Sequence, residues 1–319
     1  MANAPKPNHD GTVVLEDGRT IGYAEFGDPK GDPMLWFHGT PGARQQLPPD
    51  THRQAAERGL RIIGIDRPGT GNSTPYLYDV LIEFASDMEK FVDQLGLERV
   101  GAVGLSGGGP YVLACAHHFR GRMPVGVVLG GLGPTRGHEA APGYTKLLPL
   151  AEPLLTVLRE PLAELLNAGL RQLVPMASQG YDLYARFGPK SDRPLLRRPE
   201  MKSMFINDLV TAMDGGLRAP VYDVVLFARP WGFSLRNIQV PIHFFQGDAD
   251  LVVPTTHGPH QAGLVPRSTL TIVPEEGHFA GFATVAHVLD KIRETWPRTV
   301  PAAPPAARAR TARKATRKR

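Results

Sequence analysis

The 319-residue chain has a single cysteine, Cys115. That excludes an intrachain disulfide and a Cys-rich metal site. No run reaches the roughly 18 consecutive apolar residues that a membrane-spanning helix needs, so no integral membrane segment is expected. Met1–Asp10 is polar and proline-containing and lacks the apolar stretch of a secretion signal. These ten residues are expected to be flexible, and the protein cytoplasmic. Gly107-Gly108-Gly109 could cradle a phosphate, but no Lys-Ser/Thr follows, which excludes a P-loop. Acid is what the end of the chain lacks. From Thr299 to Arg319 there are seven Lys or Arg and no Asp or Glu, and subtracting those seven from the net +5 leaves −2. The basic pI of about 9.4 therefore belongs to a tail on a near-neutral body. Residues 298–319 are also too poor in large apolar side chains to offset their ordering entropy, so disorder is expected there. Such a tail suggests nonspecific contact with polyanions as a possible partner role.

What is present is a series of short apolar runs. Thr12–Leu15 and Thr20–Tyr23 flank Asp17-Gly18 and read as a hairpin. Met34–Phe37, Arg61–Ile65, Val100–Val103 and Val125–Leu129 suit strands covered on both faces, as in a parallel sheet. Between two of them Val80, Phe84, Met88, Phe91 and Leu95 recur at helical spacing. Alternating strand and helix predicts an α/β fold with a mostly parallel sheet flanked by helices. The alternation stops at about 133 and resumes at Val240–Phe245 and Leu270–Val273. Residues 133–232 are Leu-rich and punctuated by prolines, with Pro161 placed as a helix first turn ahead of Leu162, Leu165 and Leu166. The expected organisation is a core of 11–132 and 233–297 with a helical cap at 133–232. A last helix is predicted over Phe282, Val285, Leu289, Ile292 and Trp296.

Gly104-Leu105-Ser106-Gly107-Gly108 fits the G-x-S-x-G turn that exposes a serine between a strand and a helix. A serine needs a base, and the base needs an orienting group. His278 follows the last strand run. Asp248 and Asp250 both follow the run before it, so either aspartate qualifies on position. The negative charge that develops on a carbonyl under attack needs two N–H donors. One is expected from Gly107. The other is expected from the loop His38-Gly39-Thr40-Pro41-Gly42, with Thr40 favoured because Pro41 has no N–H. His38 itself reads as structural. His117-His118 reads as an exposed pair, since adjacent helix residues do not face one another.

From about Thr12 to Trp296 these segments resemble the α/β-hydrolase family. Asp66-Arg67-Pro68-Gly69-Thr70-Gly71-Asn72-Ser73 is similar to a loop that follows a strand in that family. Gly247–Pro254 is similar to its acid loop, and that resemblance selects Asp250 over Asp248. It also implies Ser106 as nucleophile, His278 as base, Thr40 and Gly107 as oxyanion donors, and no cofactor or metal. Two departures narrow the activity. Haloalkane dehalogenases and epoxide hydrolases carry an aspartate where this chain has Ser106. Proline iminopeptidases have a Trp in the nucleophile turn where this chain has Gly107, which points away from a peptidase. The expected activity is hydrolysis of a small-molecule carboxylic ester with an apolar part. Amide, peptide or thioester hydrolysis, or a noncatalytic ligand-binding role, are the alternatives.

Overall fold

The structure is a computed structural model and describes residues 6–213, 216 and 218–296. The tail at 298–319 and the first five residues lie outside these. The chain begins with β1 (His9–Val14), β2 (Thr20–Gly27) and β3 (Asp32–Phe37), followed by α1 (Thr51–Glu57) and β4 (Leu60–Ile65). β1 starts at His9, so the expectation of flexibility through residue 10 is corrected at its end. His9 pairs with Glu25 in the ladder, and Asp10 holds Arg44 at 3.0 Å. Then come α2 (Ile82–Gln94), β5 (Gly101–Leu105), α3 (Gly109–Phe119) and β6 (Gly126–Leu129).

A helical segment follows: α4 (Leu148–Leu173), α5 (Ala177–Phe187), α6 (Arg193–Leu196), α7 (Pro199–Met213) and α8 (Ala219–Ala228). Pro161 does not open a helix. It lies inside the 26-residue α4, together with Pro153. A proline within a helix removes one amide and leaves one carbonyl without a partner. The carbonyl concerned here is that of Val157, a residue 74% exposed on the outer surface, where water can serve it. The chain closes with β7 (Ile242–Gly247), α9 (His257–Leu264), β8 (Ser268–Val273), α10 (Ala280–Ala283) and α11 (Val285–Thr295). The single helix expected at the end is thus two, parted at Thr284.

The eight strands form one sheet in the order β1-β2-β4-β3-β5-β6-β7-β8. β1, β2 and β4 pair antiparallel, and every pair from β4 to β8 is parallel. Successive side chains of a strand point to opposite faces. In β3, Leu35 and Phe37 join the core beneath α2 and α3, while Met34 and Trp36 join the core beneath α1 and α11. Both faces are covered, which is why these runs are continuously apolar. The carboxyl ends of β3, β5, β7 and β8 then open on the same edge of the sheet, facing the helical segment.

Candidate active site

β5 ends in Leu105, and the chain turns at once into α3. Ser106 sits at the turn with φ of 52°, a left-handed conformation that a serine rarely adopts. The glycines around it are required by space. A Cβ at Gly104 would collide with the Gly108 carbonyl, and one at Gly107 with the Thr40 hydroxyl. The two ends of the turn therefore touch, and Gly107 lies against Thr40.

Beyond β7, Asp250 is buried. Its Oδ2 accepts from His278 Nδ1 at 2.9 Å and from Gln246 Nε2 at 3.1 Å. Its Oδ1 accepts from the Val252 and Val253 amides at 2.8 and 3.0 Å. Burial acts to raise the Asp250 pKa, but the His278 hydrogen bond and charge and the two amides outweigh it. The carboxyl is held below its usual range, hence ionised. With Nδ1 of His278 engaged by a carboxylate, Nε2 is the nitrogen left for other work. Asp248 is occupied elsewhere, accepting the Glu275 amide at 2.8 Å.

Ser106, His278 and Thr40 line one cavity of about 450 Å³. Its far wall comes from the helical segment, including Tyr181 and Tyr184 of α5 and Phe205 and Leu209 of α7. Gly107 is buried behind Ser106, beside Thr40, and is not itself among the lining residues. His38 is not among the lining residues. It is buried behind the loop, with Nδ1 2.7 Å from the Gly39 carbonyl and Nε2 accepting the Arg67 amide at 3.3 Å. Burial, with Arg67 nearby, pushes its pKa far below the usual value, so it is neutral.

The sequence matches the α/β-hydrolase fold family over residues 32–283. The chain belongs to the α/β-hydrolase family. Among solved structures, this hydrolase is similar to an esterase from Rhodococcus sp. ECU1013, at 21% identity and a TM-score of 0.62. The match covers 89% of this chain and 97% of that one. An esterase from Exiguobacterium antarcticum matches at 20% identity and a TM-score of 0.63, over 90% and 98% of the two chains. Among curated relatives, a probable proline iminopeptidase from Leptolyngbya boryana is 26% identical, over 85% of this chain and 89% of its own length. A proline iminopeptidase from Neisseria gonorrhoeae is 31% identical over a shorter stretch, 44% of this chain and 46% of its own.

Three residues of the hydrolase's helical segment reach this site without having been picked out in the sequence. Asp223 of α8 forms a buried pair with Arg67, Nη2 to Oδ2 at 2.6 Å. It also accepts the Thr40 hydroxyl at 2.6 Å and the Tyr111 hydroxyl at 2.6 Å. Arg67 in turn donates to the carbonyls of His38 and Gly39. The Thr40 loop is thereby tied to α8, and its Thr40–Pro41 peptide is cis. Asp208 of α7 accepts the Ala43 amide at 3.1 Å and Gln46 Nε2 at 3.2 Å, and Gln46 Oε1 accepts the Gly39 amide at 2.7 Å. Asp208 lines the cavity, and burial, with Asp66 nearby, pushes its pKa well above the usual range. Asp192, just before α6, accepts the amides of His278 at 3.3 Å and Phe279 at 3.2 Å. Burial raises its pKa as well. An aspartate in a helical, loop-broken segment carries no periodic signal, so only the local pattern Asp192-Arg193-Pro194, an aspartate ahead of a helix, could have drawn notice.

Proposed function

We propose that this chain is a serine hydrolase that cleaves a small or medium carboxylic ester with an apolar part through an acyl-enzyme intermediate. The observation that carries the reading is the 2.9 Å contact between Asp250 and His278 Nδ1 on the wall of the cavity that also holds Ser106. In this reading His278 Nε2 takes the Ser106 hydroxyl proton as Oγ attacks the ester carbonyl. The proton then passes to the departing alcohol. Water, activated by the same imidazole, releases the acyl group as a carboxylic acid and restores Ser106. Asp250 fixes the imidazole tautomer and stabilises the imidazolium. The oxyanion is met by the amides of Gly107 and Thr40. The Gly107 amide lies in the turn that leads into α3, where no helix carbonyl precedes it to accept its proton. Residues 133–232 serve as the cap, and their aromatic and aliphatic side chains favour an apolar acyl or alcohol group. Fluorophosphonate labelling tests the reading: the wild type is expected to label and Ser106→Ala not to. Ester hydrolysis that persists in Ser106→Ala would overturn it.

A second reading is hydrolysis of an N-terminal peptide bond. The names of the curated relatives favour it, as does Asp208, whose carboxyl on the cavity wall would ionise opposite a substrate ammonium. Comparing a p-nitrophenyl butyrate with a prolyl p-nitroanilide separates the two. Higher kcat/KM on the ester is expected.

A further inference from the structure

α4 is apolar on both of its long sides. The inward side carries Leu155, Leu162 and Leu166, and two acids of α4 bind the arginines that flank α8. Glu152 holds Arg229 at 3.0 Å, and Glu160 holds Arg218 at 3.2 Å. The outward side carries Leu150, Leu154, Val157 and Leu165 at 79%, 64%, 74% and 71% exposure, with Leu147 just before the helix at 64%. The one charged residue on that side between Leu147 and Leu165 is Glu164. Of the large apolar side chains left exposed among the described residues, most lie in this helical segment. A helix apolar all round belongs in an interior, and a contiguous exposed apolar face marks a contact surface.

We propose that a second copy of this chain docks on the outward face of α4, with the two α4 helices antiparallel across a two-fold axis. Three observations select this occupant. The first is spacing. Leu147, Leu150, Leu154, Val157 and Pro161 recur at steps of three and four, the seam that receives another helix. The second is charge. In the antiparallel register that sets Leu154 against Leu158 of the second copy, Leu147 meets Leu165, and Glu164 falls within about half a turn of Lys146. Glu164 and Lys146 are both exposed, and neither is in an ion pair among the described residues. A two-fold axis uses this contact twice. A lipid surface would leave Glu164 unanswered. The third is area. At about 100 Å² for a fully buried Leu-sized side chain, the exposed parts of these residues sum to on the order of 400 Å² per copy. Two copies together bury on the order of 800 Å², below the roughly 1,200 Å² of stable specific interfaces, so the pairing is weak, reversible and dependent on concentration. No α4 residue lines the catalytic cavity, so the pairing leaves turnover per site unchanged.

Sedimentation velocity of the full chain over a wide concentration range tests the proposal. The wild type is expected to move from 34.7 kDa towards twice that mass as concentration rises. Leu154→Glu is expected to stay monomeric at an unchanged Tm, since the side chain it replaces is exposed. Lys146→Glu and Glu164→Lys alone should each weaken the dimer at least several-fold, and together restore it. With Cys115 buried, a chain carrying Leu147→Cys and Leu165→Cys should form a disulfide-linked dimer on mild oxidation. These two positions are too far apart within one chain to bridge. A monomer at every concentration overturns the proposal, as does a dimer indifferent to Leu154→Glu, or failure of the double charge exchange to restore pairing. So does a monomer that floats with phosphatidylcholine–phosphatidylglycerol vesicles and loses that on Leu154→Glu, which would assign the face to lipid instead.

Discussion

Asp192, from the helical segment, accepts the backbone amide of His278, from the core, at 3.3 Å, and the next amide, of Phe279, at 3.2 Å. The loop bearing the proposed base is thus anchored from across the cavity. Replacing Asp192 by Ala removes both acceptors and leaves two buried donors unmet, each worth about 1–3 kcal/mol. The expected result is a Tm several degrees lower and kcat reduced about 10- to 100-fold. Asp192→Asn keeps one acceptor oxygen and should recover part of both. Differential scanning fluorimetry and steady-state kinetics on a p-nitrophenyl ester read the two effects. Equal activity in wild type and Ala variant would dismiss Asp192 as a positioning residue.

Asp250→Asn should lower kcat by about 10⁴-fold, the scale expected when the imidazole loses control of its tautomer. Asp248→Asn should stay within about threefold, because Asp248 is spent on the Glu275 amide. A larger loss from Asp248→Asn than from Asp250→Asn would reverse the assignment of the orienting acid.

Asp223→Asn would leave Arg67 as a buried cation without its counter-charge. Breaking such a pair from one side costs about 3–5 kcal/mol. The expected outcome is a large fall in Tm together with lower kcat, since the one oxygen left cannot accept the Thr40 and Tyr111 hydroxyls as the two carboxylate oxygens do. Arg67→Lys should not rescue function, because one ammonium cannot span the His38 and Gly39 carbonyls and the Asp223 carboxylate as the guanidinium does. Wild-type stability in Arg67→Lys would count against this account.

The raised pKa of Asp208 has a definite sign in stability. Above the ordinary carboxylate pKa the unfolded chain has released this proton, while the folded chain still holds it. Stability contributed at this site therefore falls as pH rises towards the folded pKa. Asp208→Asn removes that slope. Whatever its absolute cost, the variant should gain on the wild type between pH 4.5 and pH 8, as followed by urea unfolding. A difference constant with pH would mean that Asp208 is ionised in the folded protein like any surface acid.

The parallel part of the fold was readable because Met34–Phe37 and Val100–Val103 are buried on both faces and so uninterrupted by polar residues. The turn at Ser106 was readable for a steric reason, since only glycine fits where Gly104 meets Gly108. The grouping of His278 with an aspartate followed from strand order, since the ends of neighbouring parallel strands lie side by side. The links across the cavity were not readable. Asp192, Asp208 and Asp223 look in sequence like solvated acids, and what buries them is the docking of one segment on another. Pro161 misled for a similar reason. A proline is a poor guide to a helix end when the carbonyl it strands belongs to a residue on the exposed surface, as Val157 is.

The pair between Arg67 and Asp223 also bears on biosynthesis. The two residues are 156 positions apart. At about 5–20 residues per second, a ribosome adds Asp223 roughly 10–30 s after Arg67. Later in that interval, once residue 129 has been added, the nascent chain contains β1 to β6, yet it carries a guanidinium whose burial nothing offsets. The Thr40 loop cannot close in its final form until α8 emerges. The early half of the chain must therefore wait, partly open, for its C-terminal half, and that waiting period is when chaperones would have most to do.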